Sequence, residues 1–204
     1  MYRYTTPGLL QLLDPFLIWK MKKREQPTLY LTFDDGPHPT ITPWVLATLK
    51  HYNAKATFFC VGDNVRKYPE VYAQILLEGH HTGNHTFNHL NGWKAKKDLY
   101  LSNIDECSNV VESKLFRPPY GKIRPAQVLR LKKQKYKVIM WSVLSRDFEA
   151  DLDPKESLAA LIAHSGDGSI LLFHDSEKAV KNLEVLLPAL LDHFSSLGFQ
   201  FAVI

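Results

Sequence analysis

The sequence predicts an α/β fold, a distorted (β/α)7-type barrel with parallel strands and a functional site at the carboxyl ends of those strands. Short apolar segments alternate with longer segments in which apolar residues recur every three or four positions, the pattern of strands that alternate with helices. Polar residues follow directly after several of the apolar segments, and in a parallel barrel such positions meet on one face. The 204 residues, of which 45% are apolar, suffice for one domain core.

Seven segments are predicted as strands because each is short, apolar and bounded by turn-forming residues. In chain order they cover residues 29–33, 56–61, 80–83, 115–116, 136–141, 169–173 and 199–204. No internal repeat or low-complexity linker divides this series, so all seven are expected to belong to one sheet.

Helices are predicted between most of these strands. Pro43 suits the first turn of the first helix, and Gly79 follows the second as a helix-ending residue. The predicted helices cover residues 43–49, 69–78, 97–113, 124–133, 154–164 and 178–196.

Residues 1–28 are predicted to form an apolar and basic segment that packs on a domain made by residues 29–204. Asp14 and Pro15 interrupt its apolar stretch, and a basic run follows at residues 20–24. A signal peptide carries its charge first, and the stretch is too short to cross a bilayer. An anchor in the membrane interface is the alternative interpretation. We expect no cleavable leader and no membrane-spanning helix, with a cytoplasmic location as the default.

Charge and cysteine content exclude several classes of function. The net charge is +4, and the only short basic runs, residues 20–24 and 94–97, are typical of solvated surface. No nucleic-acid-binding motif accompanies them, so no nucleic-acid partner is expected. Cys60 and Cys107 are predicted to be free thiols, because nothing indicates a disulfide framework. The oligomeric state is not indicated.

Two carboxylates and two histidines give the strongest functional signal. Asp34 and Asp35 lie at the end of the first predicted strand, within Thr-Phe-Asp-Asp-Gly-Pro, and His85 precedes His89 by four residues. On a helical turn this spacing places both imidazoles on one face, where a carboxylate could complete a metal site with an open position for water. Alone, Asp-Asp-Gly-Pro is more typical of a turn, and nine histidines make such a pair unsurprising.

Three later motifs, in order, favour the functional interpretation. They are Arg-Pro-Pro-Tyr-Gly at 117–121, Trp-Ser-Val-Leu-Ser-Arg-Asp-Phe at 141–148 and Leu-Leu-Phe-His-Asp at 171–175. With all five motifs, the chain from about residue 29 onward resembles the polysaccharide deacetylase family, also called the NodB homology domain or carbohydrate esterase family 4. The resemblance implies a metal-dependent hydrolase that removes N-acetyl or O-acetyl groups from a polysaccharide or oligosaccharide, such as chitin-type or peptidoglycan amino sugars.

The resemblance also implies roles for the carboxylates and histidines of the first two motifs and for Arg117 of the third. Asp34 would be the catalytic base, and Arg117 would pair with it and hold its carboxylate in place. Asp35, His85 and His89 would bind one divalent ion, expected to be zinc although other divalent ions fit. The ion would polarise the acetyl carbonyl and activate a water molecule.

His174 is implied to be the general acid, because an amine leaves an amide only when it is protonated. Asp147 would orient the imidazole of His174 and favour its protonated form. Judged without the resemblance, His174 could equally be a core histidine, and Asp147 or Arg117 could belong to ordinary salt bridges.

Four residues are implied to contact the substrate: Pro119, Tyr120, Trp141 and Leu172. The backbone N–H of Tyr120 would stabilise the oxyanion, and Trp141 and Leu172 would line the acetyl pocket. Two positions depart from the family pattern, since Leu144 replaces an Asp or Asn and Phe148 replaces a Trp. The substrate-binding wall near these two residues is therefore expected to differ.

The remaining histidines receive no functional role. His38, His51, His164 and His193 lie in loop or amphipathic helical settings. His81 also precedes His85 by four residues, but both His80 and His81 fall in a predicted strand, where that spacing does not align two rings. The pair His85 and His89 is therefore preferred as the ligand pair.

Other functions compete with N-deacetylation. An acetyl xylan esterase would use the same fold, and a non-catalytic carbohydrate-binding relative would be expected to lack the base or a ligand. A glycosidase needs two carboxyl groups on opposite sides of a glycosidic bond, which adjacent residues such as Asp34 and Asp35 fit poorly.

Overall fold

The computed structural model describes residues 4–5 and 15–204, and within them the chain forms nine strands and seven α-helices. The strands are β1 Leu17–Ile18, β2 Thr28–Asp34, β3 Ala56–Cys60, β4 His81–Asn84, β5 Leu115–Phe116, β6 Lys137–Ile139, β7 Val143–Leu144, β8 Ile170–His174 and β9 Gln200–Phe201. The helices are α1 Ile41–His51, α2 Gly62–Lys67, α3 Pro69–Leu77, α4 Lys97–Ser108, α5 Pro125–Lys133, α6 Pro154–His164 and α7 Val180–Ser196. A 3-10 turn covers Pro119–Gly121.

The strands form one parallel sheet that curls into an incomplete barrel, which confirms the predicted fold class. Along the sheet the order is β1-β6-β5-β4-β3-β2-β8-β7, and β9 adds a short parallel pairing to β2. All described strand pairings are parallel. The two ends of this order, β1 and β7, do not pair with each other within the described residues, so the barrel is open between them.

Strand β2 is the centre of the fold. Each of its seven residues is buried, as expected of a parallel strand that is covered on both faces. Leu31 and Phe33 pack outward with the helices, whereas Tyr30 packs inside the barrel with Phe59 and Ile170. This alternation fixes the register of β2 and therefore the position of Asp34 at its end.

Three predicted elements are clearly shorter than expected, and one of them, the strand 199–204, is reduced to Gln200–Phe201. The predicted strand 136–141 ends at Ile139, where the next amide, that of Met140, donates to the carbonyl of Ile18. The chain then crosses toward β8 and pairs again as β7. The predicted helix 97–113 ends at Ser108, because the amides of Asn109 and Val110 form turn bonds instead. Neither β1, β7 nor α2 was predicted.

Residues 17–21 run along this opening, from the edge of β6 to the start of β8. Leu17 and Ile18 pair with β6, and the amide of Met21 donates to the carbonyl of Gly168 at 2.8 Å. Most of the apolar run of the N-terminal segment, residues 6–14, lies outside the described residues, so its packing stays a prediction. In the part of the chain that is described, no helix combines the length and the apolar character needed to cross a bilayer.

Candidate active site

The motif residues meet at the carboxyl ends of the strands, as the sequence predicts. Asp34 is the last residue of β2 and pairs in register with His174, the last residue of β8. His85 directly follows β4, and Arg117 directly follows β5. The parallel sheet therefore brings together residues that lie up to 140 positions apart along the chain.

Arg117 is fully buried and fixes the carboxylate of Asp34. Its Nη1 donates to Asp34 Oδ1 at 2.8 Å and to Thr32 Oγ1 at 2.7 Å. Its Nε and Nη2 donate to the carbonyls of Ile139 and Met140 at 3.2 and 2.8 Å. Burial lowers the pKa of Arg117 and the charge of Asp34 opposes this shift, but a guanidinium stays charged in proteins. The Asp34 carboxylate is thus held by a cation that three strands position.

Asp35, His85 and His89 form a cluster suited to a metal ion. His89 Nε2 lies 3.1 Å from Asp35 Oδ1, and His85 Nε2 lies 3.7 Å from the same oxygen. One ligand atom from each residue can be chosen so that all three lie within 4.8 Å of one another. Asp35 adopts a left-handed backbone conformation, with φ of 81°, which points it away from the path of β2.

The protonation of this cluster fits a divalent cation. His85 Nδ1 lies 2.8 Å from the carbonyl oxygen of Arg117, which can only accept, so Nδ1 carries the proton and Nε2 presents a lone pair. Burial lowers the pKa of His85 to about 4, which keeps the ring neutral. Burial opposes ionisation of Asp35, but the hydrogen bond from His89 and the nearby imidazoles hold its pKa well below its usual range. One carboxylate and two imidazoles are ligands that zinc commonly takes.

The two histidines do not lie on a helical turn, which corrects the geometry expected from their spacing. Thr86 and His89 have φ values of 63° and 54°, so the segment is a loop. The side-chain oxygen of Asn103 in α4 accepts hydrogen bonds from two amides of this loop, at 3.0 Å each. The rings of His85 and His89 still come within 5.1 Å, measured between centroids.

Sequence reasoning missed Asn103, although a signal was present. The buried positions of α4 are Tyr100, Asn103, Ile104 and Cys107, so Asn103 is the polar member of an otherwise apolar face. A buried asparagine must find partners, and here it finds them in the loop that carries the proposed ligands.

The buried Asp147 and the partly exposed His174 form a pair on the other side of Asp34. His174 Nδ1 lies 2.8 Å from Asp147 Oδ1, and the backbone amide of His174 donates to Asp147 Oδ2 at 2.8 Å. Because the carboxylate accepts, Nδ1 carries a proton. Burial lowers the pKa of His174, but the charge of Asp147 and its hydrogen bond outweigh this and raise the pKa to about 9. His174 is therefore protonated at neutral pH.

The residues expected to contact substrate surround this centre. Tyr120 is 62% exposed and has φ of 60°, and its ring packs 4.7 Å from that of His89. Pro119 is buried beside it. Leu172 is buried in β8 two residues before His174, on the same face of the strand.

Trp141 lies between Arg117, the partner of Asp34, and the 3-10 turn. Its ring is 5.8 Å from the guanidinium carbon of Arg117. A Cβ placed on Gly121 would come within 2.7 Å of this ring, so the turn requires glycine there. Gly121 also has φ of 66°, which glycine tolerates.

The two departures from the family pattern have different consequences. Phe148 packs edge-to-face against the ring of His174 at 5.1 Å, close to the site as expected. Leu144 is buried in β7, and its amide donates to the carbonyl of Tyr4. Leu144 is thus held by main-chain bonds between β8 and Tyr4, whereas Phe148 touches the proposed acid. The expectation that the substrate-binding wall differs near these two residues stays a prediction.

Asp175 is a second residue whose role sequence reasoning missed, although it belongs to the last motif. It is buried, and its carboxylate accepts from the amide of Gly36 at 3.1 Å and from Thr42 Oγ1 at 2.5 Å. Burial raises the pKa of Asp175 to about 8, with the Thr42 hydrogen bond opposing. A Cβ on Gly36 would lie 2.1 Å from Asp175 Oδ2, so only glycine fits this contact. Asp175 thus fixes the turn that follows Asp35.

The histidines without a predicted role lie outside the cluster. His80 is buried and its Nδ1 accepts from the amide of Ala56 at 3.1 Å. His81 is exposed and its Nδ1 contacts the carbonyl of Ile204 at 2.8 Å. Cys60 and Cys107 are both buried free thiols, in agreement with the sequence prediction.

Comparison with known proteins gives the same family from sequence and from structure. The family profile described as polysaccharide deacetylase matches residues 21–139. A peptidoglycan-N-acetylglucosamine deacetylase of Bacillus cereus is 32% identical over 196 residues, which cover 93% of this chain and 91% of that protein. A chitooligosaccharide deacetylase of Azorhizobium caulinodans is 34% identical over 159 residues, covering 74% of this chain and 75% of that protein.

Solved structures are similar along almost the whole chain. A peptidoglycan N-acetylglucosamine deacetylase in complex with 4-naphthalen-1-yl-N-oxidanyl-benzamide aligns with a TM-score of 0.83 and 29% identity, covering 98% of this chain and 95% of that one. The peptidoglycan deacetylase PdaC of Bacillus subtilis aligns with a TM-score of 0.77 and 30% identity, covering 88% and 89%.

Proposed function

Since this chain belongs to the polysaccharide deacetylase family, we propose that it hydrolyses the N-acetyl groups of amino sugars in a peptidoglycan-type or chitin-type glycan. One observation carries the proposal. Asp34 and His174 are the last residues of two adjacent strands, and both lie beside the cluster of Asp35, His85 and His89. Asp34 is a carboxylate outside that cluster, and His174 is a protonated imidazole. Base, ligands and acid are the three elements that hydrolysis of an amide requires.

Asp35, His85 and His89 would hold one divalent ion, for which zinc is our proposal. When bound, such an ion supplies a Lewis acid that polarises the acetyl carbonyl and makes a water molecule more acidic. The neutral His85 ring fits this role, because its proton is committed to the carbonyl of Arg117.

Asp34 would accept the proton of the attacking water. Its Oδ1 is occupied by Arg117, while Oδ2 lies 3.7 Å from His85 Nε2 and so borders the ligand cluster. Arg117 fixes the orientation of the carboxylate, so Oδ2 is the oxygen that faces the cluster. Tyr120 is the proposed oxyanion donor through its backbone N–H, next to the ring of His89.

His174 would donate a proton to the amine as the carbon–nitrogen bond breaks. Asp147 holds Nδ1, which leaves Nε2 as the nitrogen that can deliver a proton to substrate. Trp141 and Leu172 would line the acetyl pocket, and Pro119 would support the turn that presents Tyr120.

The alternatives fit less well. In a glycosidase the two carboxyl groups stand on opposite sides of the glycosidic bond, whereas Asp34 and Asp35 are neighbours, and Asp35 points at two histidines. A non-catalytic relative would not need the paired Asp147 and His174. Ester hydrolysis by the same residues stays a second candidate, since an acetyl ester needs the base but less help from the acid.

The direct test is acetate release from N-acetylglucosamine oligomers, peptidoglycan strands and acetyl xylan. We expect release from the N-acetylated glycans, its loss after treatment with a chelator, and its recovery when zinc is returned. Elemental analysis on the same samples should find about one ion per chain before chelation. Release of reducing ends without acetate would contradict the proposal and indicate a glycosidase.

Asp147→Asn should narrow the pH range of N-deacetylation on its alkaline side. The folded-state pKa of His174 is about 9, so the acid is present below that pH and is lost above it. Without the Asp147 charge, burial pulls this pKa down, and the alkaline limb of kcat/KM should shift to lower pH by at least about one unit. An unchanged limb in a folded variant would contradict this assignment.

A further inference from the structure

The two sides of the proposed site differ in their charged residues. In the sheet, β4 and β5 lie on one side of β2, and β8 and β7 lie on the other. The loops after β4 and β5, residues 85–96 and 117–124, contain no Asp or Glu. The loops after β7 and β8 contain six: Asp147, Glu149, Asp151, Asp153, Asp175 and Glu177. A charged substrate would therefore meet a different potential on each side.

A rigid, exposed indole lies on the basic side. Trp93 is 56% exposed, and it is the only exposed one of the four tryptophans, all of which are described. Its Nε1–H donates to the carbonyl of Ile123 at 3.1 Å, and its amide donates to Asn91 Oδ1 at 3.0 Å. Its carbonyl accepts from the guanidinium of Arg124. A ring already fixed in one position loses little entropy when it binds a ligand.

The loop of Trp93 is interlocked with the loop that carries Tyr120. A Cβ on Gly92 would lie 2.4 Å from the carbonyl of Lys122, and Gln127 donates to the carbonyl of Gly92 at 3.0 Å. The ammonium of Lys122 lies 5.4 Å from the centroid of the Trp93 ring. Lys122 is two residues beyond Tyr120, a distance of at most about 7 Å between Cα atoms. The indole is therefore held against the loop that carries Tyr120, the proposed oxyanion donor.

We propose that Trp93, Lys122 and Arg124, the Trp93 patch, bind a carboxylate-bearing sugar next to the sugar that is deacetylated. This inference rests on the proposed function and adds a substrate class to it: an acidic acetylated glycan, such as one with lactyl ether carboxylates. The indole face would pack on the apolar face of the pyranose ring, and the two cations would pair with the carboxylate.

Charge also gives the glycan a direction across the site. Three of the six carboxyl groups are buried or paired within the protein: Asp147 is buried against His174, Asp175 is buried against Gly36 and Thr42, and Glu149 pairs with Arg146. The three exposed ones, Asp151, Asp153 and Glu177, repel an acidic sugar on that side, whereas the Trp93 patch attracts it. The expected ligand is therefore acidic on one side of the reacting sugar only.

The test measures binding separately from turnover, in metal-loaded Asp34→Asn protein. The ligands are an alternating N-acetylglucosamine and N-acetylmuramic acid tetrasaccharide and the same tetrasaccharide with its carboxylates amidated. We expect the free acid to bind more tightly by calorimetry and the difference to shrink at high salt. Adding Lys122→Gln and Arg124→Gln should lower the affinity for the free acid by about fivefold, the size expected for two exposed ion pairs. The affinity for the amidated tetrasaccharide should fall by less than about twofold.

Substitution of Trp93 separates packing from charge. Trp93→Ala should weaken both tetrasaccharides, and Trp93→Phe should restore most of the loss, because a phenyl ring still offers an apolar face. Thermal unfolding of each variant establishes that it is folded. A Trp93→Ala variant that is folded and binds both ligands normally would overturn the inference.

A matched control removes the same charge elsewhere. Lys50→Gln with Lys181→Gln takes two exposed cations from α1 and α7 and should change neither affinity. The inference would be overturned if the Lys122 and Arg124 substitutions lowered the affinity for both ligands equally. It would also be overturned if the control substitutions lowered the affinity for the free acid as much as those two substitutions do. Equally strong competition by a single-stranded polynucleotide would overturn it too, because this would indicate a general polyanion surface. If the Asp34→Asn protein discriminated between the two ligands but the wild-type protein released no acetate, the patch would be supported and the proposed reaction refuted.

Discussion

Asp34→Asn is expected to keep its divalent ion and to lose deacetylation by about a hundredfold to ten-thousandfold, the usual range for a general base. The carboxamide cannot accept the proton of the attacking water, while Asp35, His85 and His89 are unchanged. The fold should survive, because the amide oxygen can still accept the hydrogen bond from Arg117 Nη1 that Asp34 Oδ1 accepts at 2.8 Å.

The adjacent residue provides the matched comparison. Asp35→Asn changes the same chemical group one position along the chain but should lose the ion, because it removes the only carboxylate of the cluster. Elemental analysis after desalting and initial rates of acetate release would be measured on both variants. If Asp34→Asn lost the ion while Asp35→Asn kept it, the two roles would be assigned the wrong way round.

His174→Ala should depress N-deacetylation by at least about a hundredfold and affect an activated aryl acetate much less. An amine must be protonated as it leaves, whereas an aryl oxide leaves without help. The structure supports this role through the bond from His174 to Asp147, which raises the pKa of the imidazole to about 9. The acid is therefore charged before substrate arrives.

The experiment compares both substrates on the same folded, metal-loaded samples. His164→Ala, which removes an exposed imidazole at the end of α6, is the control and should alter neither rate. Equal losses on the amide and on the activated ester would argue against His174 as the leaving-group acid. They would indicate a role in oxyanion stabilisation or in the shape of the pocket.

The sequence predicted the fold because strong local signals coincide with strand ends. Asp34 ends an apolar run that is buried on both faces, and His174 ends another, so pairing of these two strands places both residues together. Apolar residues recur every three or four positions in the predicted helices, and these helices alternate with strands. Parallel strands joined in this way can be connected in only a few topologies. Family motifs then identified which of nine histidines to examine.

What the sequence did not reveal depends on long-range contacts. The strands β1 and β7 have two residues each, and they form because β6 and β8 offer partners. The loop between His85 and His89 has the spacing of a helical turn, but hydrogen bonds to distant residues, among them Asn103 of another helix, hold it in a different conformation. Asp175 likewise acts through Gly36, far away along the chain.

The pairing of β1 with β6 has a consequence for how the protein is produced. The family match begins at residue 21, so a chain truncated to that boundary would lack Leu17 and Ile18. Val138 and Ile139 would then form an unprotected strand edge with apolar side chains, and the amide of Met140 would lose its acceptor. Such edges pair with other molecules and promote aggregation. A soluble recombinant form therefore needs to begin before residue 17.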